Sequence, residues 1–126
     1  MELLAIAVGG AAGALGRVGL SQAFPATAGS WPWMTFAINL SGAFLLGSLV
    51  THLEQHAHGS TWRRPLLTTG LCGTFTTFST VQIELLRMID QHHNGLALGY
   101  VGASIVGGYL AVLTASTFAR RVQGTR

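Results

Sequence analysis

The chain has 126 residues, of which 49% are apolar and only 9% charged, with a mean hydropathy of +0.48; ordinary soluble domains carry roughly 25% charged residues, so this composition reads as mostly membrane. The net charge of +3 comes from seven arginines set near segment ends, with no lysine, which excludes the clustered basic face that nucleic-acid binding needs. Cys72 stands alone, which excludes an intrachain disulfide.

Apolar runs measured against bilayer thickness give four candidate spans in a single membrane domain covering residues 1–126. The first covers residues 3–21. It lacks a basic leading segment and carries Arg17 late, so it reads as a retained span and not a secretory signal. Gly9 and Gly13 are four apart within it, a spacing that lets another helix approach closely. Residues 22–32, rich in Pro, Gly and Ser, lead to the second span at 33–53, where Asn39 lies near mid-depth. Its amide holds two N–H donors, suited to an interhelical bond or to an anion.

A polar connection, residues 52–65, follows. His52 and His56 are spaced i, i+4 with His58 beyond, yet no Cys or carboxylate completes a persuasive metal set. The third span, 66–89, contains the unusual stretch Gly70-Leu-Cys-Gly-Thr-Phe-Thr-Thr-Phe-Ser-Thr80. Gly70 and Gly73 weaken a helix and the β-branched threonines do little to hold it. A break near residues 73–76 frees carbonyls that suit a hard cation such as Na⁺. One segment supplies too few ligands, which hints at a dimer with a buried ion on its axis. Phe75 and Phe78 flank the break, and a ring held edge-on favours an anion. Ser79 and Thr80 add hydroxyls, and Glu84 and Arg87, three apart, are placed to pair on one face.

A tight turn at 90–95 leads to the fourth span, 96–119. Gly99, Ala103, Gly107, Ala111 and Ala115 form a small-residue stripe along it, while Tyr100 and Ser104 share a face and offer uncharged hydroxyls. The N-terminus, middle loop and C-terminus share one side, which holds Arg63, Arg64, Arg120, Arg121 and Arg126 and favours an N-in, C-in orientation. Arg17 reads as snorkelling to head groups or as part of an electropositive vestibule. Composition and spacing thus reach an all-α integral membrane protein, four helices with a break in the third, dimeric, with neutral polar donors at depth.

Three motifs in this order, GGAAGALGR (9–17), INLSGAFLLG (38–47) and GLCGTFTTFST (70–80), resemble the Fluc fluoride channel family, also called CrcB. The resemblance covers nearly the whole chain. It implies an antiparallel, dual-topology homodimer in the prokaryotic plasma (inner) membrane, with two fluoride pores and a structural Na⁺ at the centre. The Na⁺ carbonyls fall on Gly73 and Thr76. The pore falls on Asn39, Phe75, Phe78, Ser79, Thr80, Tyr100, Ser104 and Glu84, and Arg17 matches the family's arginine. Two positions depart from the family pattern: Val81 replaces the second ring of a phenylalanine pair, and Gly108 replaces a hydroxyl of the polar track. The arginine bias also leaves open a heteromeric pair with an oppositely oriented paralogue. Passive fluoride export follows as the expected function, with the anion's hydration shell replaced by N–H and O–H donors. The rivals are a proton-coupled multidrug exporter, which needs a carboxylate embedded in the first span where only the terminal Glu2 is available, and a structural membrane subunit.

Overall fold

The computed structural model describes residues 1–56 and 61–124, apart from the side chains of residues 55, 56 and 123. His58, Arg126 and the His56 side chain, used above in the histidine spacing and the charge bias, lie outside the described residues. The described residues form helices joined by short loops, with no strand among them. In chain order these are α1 (Glu2–Ala23), α2 (Trp33–His56), a π-helical segment (Pro65–Cys72), the short α3 (Gly73–Phe75), α4 (Phe78–Asp90) and α5 (Asn94–Gly124).

The predicted spans at 3–21, 33–53 and 96–119 fall inside α1, α2 and α5, the three described helices long and apolar enough to cross a membrane. The predicted third span is divided among the π segment, α3 and α4, each too short to cross alone. The break falls at the C-terminal edge of the expected stretch, at Thr76 and Thr77 and not at the glycines themselves. Gly73 is helical, with φ −63° and ψ −31°. The chain leaves the helix at Thr76 (ψ 155°) and Thr77 (φ −143°, ψ 118°).

The glycines have another purpose. A Cβ on Gly9 would overlap the Leu66 carbonyl, and one on Gly13 would overlap the Leu71 carbonyl and the Thr74 hydroxyl. Gly70 answers from the other side, where a Cβ would stand 2.8 Å from the Ile6 carbonyl oxygen. α1 and the π segment therefore meet backbone to backbone, as small residues permit where lipid removes the hydrophobic drive. The α5 stripe works the same way against α2: Gly107 abuts Leu40, and a Cβ on Gly47 would stand 2.9 Å from the Val112 carbonyl oxygen. Both stripes serve packing within the chain.

α4 closes over α5 through Val81, Met88, Ala97 and Tyr100, with Trp31, Phe36, Leu85 and Leu96 packed around them. Tyr100 stacks edge-on with Trp31 at 5.4 Å between ring centres. Large apolar side chains cover the outside, among them Leu3, Leu4, Val8 and Leu15 on α1 and Ile105, Val106, Tyr109 and Leu110 on α5. Such a surface costs little in lipid, whose tails are as apolar as leucine.

Candidate functional site at the helix break

The break is held open by side chains from two other helices. Asn39 of α2 receives the Thr77 N–H on Oδ1 at 2.8 Å and donates Nδ2 to the Thr77 carbonyl at 3.0 Å. It thus replaces the helical acceptor of the Thr77 N–H and adds a donor from another helix to the Thr77 carbonyl. Arg17 of α1 donates Nε to the Thr74 carbonyl at 3.0 Å, and Thr74 returns its hydroxyl to the Gly10 carbonyl at 2.8 Å. Thr77 then caps α4: its Oγ1 accepts the Thr80 N–H at 3.2 Å and donates to the Thr80 hydroxyl at 2.9 Å. A threonine at this position satisfies a donor that a helix start otherwise leaves orphaned.

These substitutions leave a particular pair of carbonyls without helical donors. In a continuous helix the Gly73 carbonyl would accept from Thr77, and the Thr76 carbonyl from Thr80. Asn39 takes the first N–H and the Thr77 hydroxyl takes the second. Gly73 is exposed on the surface of the chain, so its carbonyl is open to something outside. Neutral oxygens of this kind fit a hard cation.

Beside the break lies a cavity of about 370 Å³ lined by Asn39, Thr76, Thr77, Phe78, Val81 and Ser104, with Leu85, Val101 and Ile105. Of the sequence-derived pore residues it brings Asn39, Phe78 and Ser104 together. Phe78 is 76% exposed, presenting its ring outward from the subunit. Val81, the departure from the family pattern, is buried in the wall. Thr80 faces the cap of α4 and Ser79 is exposed, 3.4 Å from the Thr77 hydroxyl. Phe75 does not line this cavity; its ring sits beside Gly16 of α1 and Gly42 of α2.

Glu84 and Tyr100 form a second polar group. Glu84 is only 9% exposed, and its carboxylate receives the Thr35 hydroxyl at 2.6 Å and the Tyr100 hydroxyl at 2.8 Å. This corrects the expected Glu84–Arg87 pair, because hydroxyls from α2 and α5 reach the buried oxygens that α4's own arginine does not. Tyr100 correspondingly has its proton directed at Glu84. Arg17, read from the sequence as snorkelling or vestibular, donates to a carbonyl beside the break. Sequence reasoning passed over Thr35, Thr77 and Trp31. Thr35 stands four residues before Asn39 on one face of α2, and Thr77 precedes a helix in the manner of an N-cap; both signals were present.

The interrupted helix, its polar supports and the lipid-compatible exterior define a multi-pass helical membrane protein. Residues 4–116 match the family model described as CrcB-like protein, Camphor Resistance (CrcB), and the chain belongs to that family. It is 50% identical over 125 residues to Fluoride-specific ion channel FluC 1 of Mycolicibacterium paratuberculosis, covering 99% of this chain and 95% of that one. It is 49% identical over 122 residues to the protein of the same name in Mycobacterium bovis, covering 97% and 92%. Identity to Fluoride-specific ion channel FluC 2 of Geobacillus kaustophilus is 38% over 112 residues, covering 88% and 87%.

Proposed function

We propose that this chain forms a fluoride-selective channel that exports the ion passively from the cytoplasm. The observation that carries the proposal is near full-length identity to proteins named fluoride-specific ion channels, in a chain whose break carries polar groups beside a membrane-depth cavity. Fluoride holds its water strongly, so a pore must offer donors in its place. Asn39 keeps one amide hydrogen beyond the one given to Thr77, and Ser104 lines the same cavity. The Phe78 ring adds a positive edge.

The cavity opens away from the subunit, which supports the antiparallel homodimer of four-span subunits that the resemblance implies, with a second copy closing two such paths. The donor-free carbonyls of Gly73 and Thr76 fit a structural Na⁺ shared between two copies. When bound, the ion would neutralise those dipoles and tie the two breaks together. A heteromeric pair differs only in which chain supplies the second break.

Purified protein reconstituted in liposomes, with fluoride efflux recorded by electrode, tests the channel reading. Efflux of fluoride with chloride retained is the expected result. No efflux with Na⁺ present overturns it in favour of a structural subunit, and efflux of cationic drugs driven by a proton gradient would favour the exporter.

A further inference from the structure

A separate polar recess lies between the loop at residues 26–32 and the C-terminal half of α4. It measures about 110 Å³, and its polar lining includes Thr27, Ser30, Glu84, Arg87 and Gln91. Ser30 folds the loop into a turn by donating its hydroxyl to the Thr27 carbonyl at 2.8 Å, and Gly29 supplies the left-handed φ of 75°. The recess thus runs from an exposed loop to the buried carboxylate. Both Glu84 oxygens are taken by Thr35 and Tyr100. The Arg87 guanidinium, three residues on and exposed, makes no hydrogen bond or ion pair among the described residues, while the residue's carbonyl accepts from the Gln91 N–H. Asp90, His92 and His93 stand on the adjoining turn, with the His93 ring beside Gly29; they lie outside the recess lining.

A carboxylate at the base of a recess repels an approaching anion unless a cation offsets it. Hydroxyl donors soften the Glu84 charge without cancelling it, and Arg87 is the only full positive charge in the lining among the described residues. We infer that this recess is an ion mouth of the conduction path and that Arg87 is the residue that offsets the Glu84 field there, setting the rate of anion entry. The inference rests on the channel reading above. Arg87 also stands in the last turn of α4, where a cation favours the helix dipole, so its charge must be altered after folding.

The test uses Arg87→Cys in fluoride-loaded liposomes at low ionic strength. A unit charge about 7 Å from the ion's path in water shifts local anion occupancy about threefold. Efflux of the unmodified variant is expected about threefold below wild type. A cationic methanethiosulfonate reagent should restore it, an anionic one should lower it by about another threefold, and raised inert salt should shrink these differences. Wild-type protein treated alike controls for Cys72, which is only 3% exposed. Equal efflux with both reagents, whether unchanged or equally reduced, overturns the inference while wild-type efflux upholds the channel. Absence of wild-type efflux overturns the channel reading and this inference with it.

Discussion

Asn39 commits its amide to both backbone groups of Thr77, so it holds the break as well as facing the cavity. These two duties separate by mutation. Asn39→Ala leaves the buried Thr77 N–H unpaired, costing about 1–3 kcal/mol, and should lower the thermal unfolding midpoint of the purified protein in detergent. Asn39→Asp keeps the acceptor for the Thr77 N–H but sets a carboxylate against the Thr77 carbonyl and the passing anion. It should nearly abolish fluoride efflux, and full efflux in that variant would place Asn39 off the path. Thr77 illustrates the same economy: one hydroxyl accepts from the Thr80 N–H and donates to the Thr80 side chain.

The helices divide into two closely packed pairs, α1 with the π segment and α2 with α5. Both rely on glycine for approach. Gly13→Ala should therefore be costly, about 1–3 kcal/mol, because the new methyl would meet the Leu71 carbonyl and the Thr74 hydroxyl. Gly102→Ala, on the same scale of change, should be tolerated, since nothing lies within 4 Å of the added Cβ. Chromatographic homogeneity and unfolding midpoints of the two variants would decide it; equal behaviour would mean that α1 packs elsewhere. The π winding before the break accompanies the Gly73 N–H reaching both the Gly70 and Thr68 carbonyls. Such segments are rare and recur at functional sites.

At the scale of the whole molecule, the exposed Gly73 carbonyl, the outward Phe78 ring and the open cavity lie on the outside of one subunit. A dimer that shares Na⁺ between two such breaks makes a specific demand. Exhaustive exchange of Na⁺ for a bulky organic cation during purification should weaken subunit association, read by cross-linking or light scattering, and reduce fluoride efflux. Thr76→Ala should leave both nearly unchanged, because the proposed site uses the carbonyl and not the side chain. Full activity and intact dimers without Na⁺ would remove the ion from the account.

The sequence by itself determined the membrane class, the places of the three long apolar helices, the presence of an interruption in the third predicted span and the close approach along the glycine stripes. Each depends on local quantities, run length, hydropathy and residue size, that lipid and helix geometry constrain directly. It marked Asn39, Glu84, Tyr100 and Arg17 as polar groups of interest, but named a partner only for Glu84, and that partner, Arg87, was the wrong one. The tertiary structure decided the partners: Asn39 with Thr77, Arg17 with Thr74, and Glu84 with Thr35 and Tyr100. Within the expected stretch 73–76 and its next residue, it set the break at Thr76 and Thr77. Glycine only lowers the cost of leaving a helix, whereas the place where a helix opens is set by whichever distant side chain, here Asn39, arrives to satisfy the freed backbone.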